Sequence, residues 1–156
     1  MPATPEVRMV PALDDRKYYW RVIDYLQKDA KKNGILKGKT HFGSFWHNMG
    51  AITNNAAQVY IALGKQNRVM GYMVAENLRS TWEEDEPEIV IIEVLPAFRR
   101  RGVGTAMMRW AMELSSARKT ENMSLDPLKG NEVFFEKLGF VKNEKSRKGK
   151  YVVKLI

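Results

Sequence analysis

The chain has 156 residues and 44% hydrophobic content, enough for one globular domain around one core. It lacks cysteine, which excludes disulfides, thiolate metal sites and a cysteine nucleophile, and its two histidines, His41 and His47, make a histidine-rich metal site unexpected. Lysine and arginine outnumber aspartate and glutamate by 26 to 18. That surface attracts anions such as coenzyme A, nucleic acid or acidic proteins, or serves only solubility.

Residues 1–11 lack the basic-then-apolar pattern of a secretory signal. No apolar run approaches the roughly 20 residues of a membrane helix. An intracellular, cytoplasmic setting without membrane contact is therefore expected. Residues 7–10 predict a first strand ended by Pro11. Asp14 or Asp15 can cap a helix running to about Asn33, with Tyr19, Val22, Ile23, Leu26 and Ala30 on its core face. Ser44 can cap a shorter helix carrying Phe45, Met49 and Ile52.

Residues 58–63 and 68–76 are β-rich, and 64–67 reads as their hairpin turn. An acidic stretch, Glu83 to Glu86, follows and Pro87 closes it. Residues 88–94 are nearly all apolar and β-branched, which predicts a strand buried on both faces in mid-sheet, ended by Pro96. Val103, Met107, Trp110, Ala111 and Leu114 give a helix face. A strand at 122–125, a helix at 131–138 ended by Gly139, and a hairpin of 140–143 with 151–156 around a basic turn complete the chain. This mixing predicts an α/β (α+β) layered domain.

The stretch from Val94 to Thr105 carries the chemistry. A buried strand ends, a short turn follows, and a helix opens at Gly102 and Gly104 behind Arg99, Arg100 and Arg101. Helix N-termini present unpaired amides and a positive dipole end, and glycine lets phosphate approach the backbone. Arginine adds forked donors. The stretch therefore reads as a pyrophosphate cradle. It is not a P-loop, since the Gly-Lys-Ser/Thr ending is missing, and the dinucleotide fingerprint needs a third glycine. Two glycines alone would better suit a plain turn with solvated arginines.

Arg99-x-x-Gly102-x-Gly104, placed after this strand and preceded by Pro96 and Phe98, resembles the acetyl-coenzyme A motif of the GNAT (GCN5-related) N-acetyltransferase family. Phe134-Phe135-Glu136-Lys137-Leu138-Gly139-Phe140 resembles the family's second signature. The likeness covers about residues 58–156 closely, and the first 57 residues fit by element order. It implies a single GNAT domain over residues 1–156. The implied fold is a mixed, mostly antiparallel sheet of six to seven strands, splayed at its middle, with about four helices on both faces. The implied activity is acyl-CoA-dependent N-acyl transfer, from acetyl-CoA as cosubstrate to a primary amine, directly in a ternary complex and without a metal.

Residue by residue, the resemblance implies that the strand edge at Ile92, Glu93 and Val94 pairs with the pantetheine arm and that an amide there polarises the acetyl carbonyl. It places the pyrophosphate on the amides of Arg100, Arg101, Gly102, Val103, Gly104 and Thr105, with Arg99 shaping the loop. Phe134 and Phe135 are the aromatic pair, and Asn131 is either a coenzyme contact or a helix N-cap.

Transfer needs a neutral amine, whereas free alkylamines of pKa about 10.4 are mostly protonated at neutral pH. A carboxylate near the cleft can accept the proton. Glu88 matches the catalytic glutamate of lysine-acetylating members, and Glu93 is a second, less favoured candidate. Without a bulge, the two point to opposite faces of the strand. Many members carry a proton-donating tyrosine where this chain has Phe135, and often an asparagine where it has Leu128. The expected acceptor is a polyamine, a protein lysine or N-terminus, or another small amine. The alternatives are aminoacyl-tRNA, met through the basic 142–150 turn, or a non-catalytic acetyl-CoA-binding module. No motif indicates nucleic acid, and the family's habits allow a homodimer.

Overall fold

The structure, a computed structural model, describes residues 6–11, 24, 57–80, 85–127, 130–143 and 150–155. Its strands are β1 (Arg8–Pro11), β2 (Ala57–Leu63), β3 (Val69–Glu76), β4 (Glu88–Val94), β5 (Asn122–Leu125), β6 (Val141–Lys142) and β7 (Tyr151–Lys154). Helix α1 (Val103–Ala117) joins β4 to β5, and α2 (Glu132–Glu136) follows β5. The strands form one sheet in the order β1-β2-β3-β4-β5-β7-β6. Every neighbouring pair is antiparallel except β4 with β5. A parallel pair needs a crossover connection, and α1 supplies it.

This is the mixed, mostly antiparallel sheet expected from the sequence. Strands β4 and β5 occupy the expected residues. Strand β1 retains Pro11, opposite Tyr60, because an edge strand tolerates a residue without an amide hydrogen. Of the first expected helix only Asp24 is described, and it is helical and exposed. The rest of that helix and the whole of the second lie outside the described residues.

The core forms where α1 lies on the sheet. Val103, Met107, Met108, Ala111 and Ser115 are its buried stripe. The four apolar ones pack in one cluster with Tyr60, Ala62, Met73, Ala75, Ile89 and Met123 of the strands. Val59, Ile61, Tyr72 and Val74 alternate with these along β2 and β3 and are buried on the other face. Burial of both faces, expected for β4, is fuller in β3 than in β4, where Ile89 alone is buried and the rest are half-buried.

Helix α2 is shorter than the 131–138 span expected. Gly139 adopts φ +99°. Its amide donates to Glu136 O at 3.0 Å, and that of Phe140 donates to Phe135 O at 3.1 Å. This is the Schellman ending, and its hydrophobic contact is the edge-on pair of Phe135 and Phe140, 6.1 Å between ring centroids. The early stop holds Phe135 in the core, 5% exposed, with Phe134 edge-on to it. No helix among the described residues is long and apolar enough to cross a membrane.

Candidate coenzyme site and the two glutamates of the central strand

Strand β4 is paired on both sides only at its start. Glu88 and Ile89 lie beside Ser124 and Leu125, and there β5 ends. On the other side β3 stays with β4 as far as Val94. The second half of β4 therefore presents one edge without a ladder partner among the described residues. Gly71 keeps β3 close at that point. A Cβ on it would lie 2.4 Å from Glu93 O, so only glycine fits opposite Val94.

The register between β3 and β4 shifts: Ala75 faces Ile89, and Val74 faces Ile91. Val90 is thus an extra residue, a β-bulge. It reverses the alternation of side chains. Ile89 before it and Ile92 and Val94 after it all pack toward the α1 core. Glu88 and Glu93 consequently share the opposite face, where the unbroken alternation of the sequence puts them on different ones.

Beyond Val94 a 3₁₀ turn at Pro96–Phe98 leads into the arginines. Arg100 has φ 63° and Gly102 has φ 81°, both left-handed. At Gly102 this conformation costs no side-chain clash, whereas at Arg100 it costs about 1 kcal/mol. The two reversals let α1 begin directly behind β4. Its first internal bond runs from the Ala106 amide to Gly102 O at 3.0 Å, so the amides of the first turn lack helical acceptors.

A pocket of about 640 Å³ opens between these elements. The β4 edge gives it Ile92, Glu93 and Val94, and the loop and first turn of α1 give it Arg99, Arg100, Gly102, Val103, Gly104 and Thr105. Helix α2 gives it Asn131, Phe134 and Phe135. Gly104 packs between Val94 and Phe134, and a Cβ there would meet the Phe134 ring at 3.3 Å. Asn131 occupies the N-cap position of α2, but its side chain makes no capping bond. Of the residues expected around the coenzyme, only the exposed Arg101 is absent from the wall. Phe98 belongs to the wall as well, with the Arg68 guanidinium 5.2 Å over its ring.

Arg99 is anchored twice. Its Nε donates to Val94 O at 2.9 Å, and its terminal nitrogen lies 2.8 Å from Glu93 Oε1. It locks the turn to the strand end as much as it adds charge. Among the described residues no carboxylate pairs with Arg100 or Arg101, which leaves their charge facing solvent beside the helix N-terminus. Such a site favours an anion.

Glu88 is not on the pocket wall. It lies at the other end of β4, where its Oε1 is 2.8 Å from Lys150 Nζ. Glu76 is its neighbour across β3. The Glu88 contact, and the charges of Glu88, Glu76 and Glu86, hold the Lys150 ammonium above its ordinary pKa against the opposing effect of burial. The loop above is tied down by Arg118 at the end of α1, which donates to the carbonyls of Asn77, Leu78 and Asp85. Ser80 donates to Asp85 at 2.6 Å. Glu83, Glu84, His41, His47 and Leu128 lie outside the described residues, as does most of the basic turn. No group of three or more potential metal ligands occurs among the described residues.

Comparison with known proteins places this arrangement. An acetyltransferase of the GNAT family from Staphylococcus aureus Mu50 superposes with a TM-score of 0.67 at 12% identity, covering 97% of this chain and 100% of that one. Tetrahymena GCN5 gives 0.70 at 12% identity, covering 97% and 96%. A GNAT acetyltransferase from Elizabethkingia anophelis, solved with acetyl-CoA bound, gives 0.52 at 14%, covering 65% and 78%. At these identities the likeness bears on the fold. No curated protein matches in sequence. The family model described as acetyltransferase (GNAT) family matches residues 19–140, which include β4, the arginine turn, both helices and their aromatic pair, and on that match the chain belongs to the GNAT acetyltransferase family.

Proposed function

We propose that this protein is an N-acetyltransferase that moves an acetyl group from acetyl-CoA to a primary amine by direct transfer in a ternary complex. The observation that carries the reading is the pocket itself. One wall is a strand edge without a ladder partner among the described residues, and the adjoining wall is an arginine-flanked helix N-terminus. A diphosphate fits the second wall and an extended amide-bearing arm fits the first.

Acetyl-CoA supplies an activated thioester. The amides of residues 102–105 hold the diphosphate, assisted by Arg100, while Arg99 fixes the turn against Val94. The edge at Ile92–Val94 aligns the arm, and an amide there stabilises the developing oxyanion. Glu88 accepts the proton of the incoming ammonium, directly or through water. Glu93 is the weaker candidate because Arg99 occupies its carboxylate and is itself tied to the backbone. The acceptor is a polyamine, a protein lysine or N-terminus, or another small amine. Excess acetyl-CoA at 100 times its Kd should stabilise the fold by about 2.7 kcal/mol. An acceptor screen read by thiol release, over polyamines, lysine peptides, aminoglycosides and charged tRNA, tests the transfer. Unchanged melting with excess coenzyme would count against the whole reading.

A second reading, a non-catalytic acetyl-CoA-binding module, is favoured by one observation. Phe135 is buried in the core and has no proton to give a departing thiolate. Coenzyme-induced stabilisation without thiol release from any amine would select it.

A further inference from the structure

The ion pair at the start of β4 places a primary amine on the carboxylate proposed as the general base. Lys150 Nζ lies 2.8 Å from Glu88 Oε1, and Lys150 side-chain exposure is 32%. Its position in the sheet explains the contact. Tyr151 is paired with Leu125, and Leu125 with Ile89. Lys150 is one residue further along, in the direction in which β4 runs on toward the pocket. By alternation it shares the sheet face of Val152, Ser124 and Glu88, since these three are paired in register. The start of the pocket wall, Ile92, is four residues beyond Glu88, with one of them taken up by the bulge. That is roughly 10 Å along the strand from Glu88, and the Lys150 backbone, two strands to the side on β7, already lies part of that way along.

The two ion pairs of β4 differ in what holds the cation. Arg99 bonds both Glu93 and Val94 O. The one salt bridge that Lys150 makes among the described residues is with Glu88, so its flexible stem can leave without breaking a second anchor.

We propose that Lys150 is itself an acetyl acceptor, a modification site served within the same chain by bound acetyl-CoA. The inference rests on the reading of the pocket and of Glu88 given above. Glu88 takes one proton from the ammonium and passes it to solvent. The freed lone pair on Nζ attacks the thioester carbonyl carbon, the N–C bond forms, and the C–S bond breaks with its electron pair leaving on sulfur. A second proton leaves nitrogen as the amide forms, the thiolate takes up one from water, and the third stays as the amide N–H. The neutral amide no longer pairs with Glu88, so the event happens once per chain and leaves Glu88 without this counter-ion.

The test is to incubate the full-length protein with acetyl-CoA and no amine, and to follow acetylation of each lysine by peptide mass spectrometry. Lys142 and Lys154, both exposed on the same sheet, are the internal controls. Lys150 should react at least about tenfold faster than either, and Glu88→Gln should slow it about 100-fold without slowing the controls. Glu88→Asp, which keeps the carboxylate one methylene back, should fall between and covers the case in which Glu88→Gln does not fold. Coenzyme A without the acetyl group should shield Lys150, and not the controls, from reductive methylation. Lys150 reacting no faster than the controls, or equally fast in Glu88→Gln, would overturn the proposal. If acetyl-CoA still stabilises the fold and an added amine is acetylated while Lys150 is not, the proposal fails alone; if acetyl-CoA does not bind, the reading beneath it fails.

Discussion

The two ends of β4 each carry a glutamate in an ion pair with an N–O distance of 2.8 Å, yet they are built for different tasks. At the exit, Glu93 meets an arginine that also grips the Val94 carbonyl, and among the described residues the strand has lost one neighbour and no carboxylate pairs with the two further arginines beside the helix N-terminus. At the entrance, Glu88 meets a lysine whose one salt bridge among the described residues is this one, the strand has neighbours on both sides, and Glu76 and Glu86 add negative charge. Distance does not separate the pairs; the number of acceptors holding the cation does. On the proposed reading the exit seats the coenzyme's anion, and the entrance offers a carboxylate whose counter-ion exchanges for the acceptor ammonium. A coenzyme with a diphosphate suits the first, and a cationic amine suits the second.

The most damaging change should strike the exit. Gly104→Glu puts a carboxylate against Phe134 inside the pocket. Acetyl-CoA affinity should fall at least about 100-fold, roughly 2.7 kcal/mol, measured by calorimetry. At the entrance, Glu88→Gln should lower kcat about 100-fold, in an assay with whichever amine the acceptor screen identifies, with little change in coenzyme affinity. Glu93→Gln should cost under about tenfold in the same assay. Equal losses in the two variants would erase the distinction between the ends.

Gly71→Ala bears on the geometry that separates them. The new Cβ meets backbone, which cannot yield as a flexible side chain would. It should destabilise by about 1–3 kcal/mol in urea unfolding and weaken coenzyme binding by displacing the end of β4. Lys150→Met should have the smallest effect, about 0.2–1 kcal/mol at neutral pH for a partly exposed pair. Because folding raises the Lys150 pKa, the pair's contribution is fully present below the unfolded value of 10.5 and is lost as pH rises through the higher folded value. From neutral pH upward, the stability difference between wild type and Lys150→Met should therefore hold to pH 10.5 and shrink above it, in unfolding curves taken across that range.

Much of the exit is legible in the amino-acid sequence. Pro87 and Pro96 bracket β4, Gly102 marks the helix start, and Gly139 marks the end of α2, since each has a local backbone cause. The bulge is not legible there. The run Ile89 to Ile92 is apolar throughout, so either register suits it, and only pairing with β3 reveals Val90 as the extra residue. The motif singles out Arg99 in sequence, but not its contact: Arg99 folds back onto Val94 O across the 3₁₀ turn, and of the three arginines only Arg101 is off the wall. Phe98 stands out as an aromatic ahead of the arginines, but its place on the wall depends on the 3₁₀ turn. Lys150 reads as the end of a solvated basic turn. Its contact with Glu88 requires β7 to lie beside β5 and β5 beside β4, two long-range pairings that no local pattern announces.

The central claim is that a diphosphate sits on the first turn of α1 while an extended arm follows the Ile92–Val94 edge of β4. Backbone amide NMR during titration with coenzyme A tests it most directly. The largest shifts should fall on residues 102–105 and 92–94, with β1 and β2 nearly unmoved. Saturating coenzyme that leaves those amides in place, or that moves chiefly the amides around Glu88 and Lys150, would contradict it.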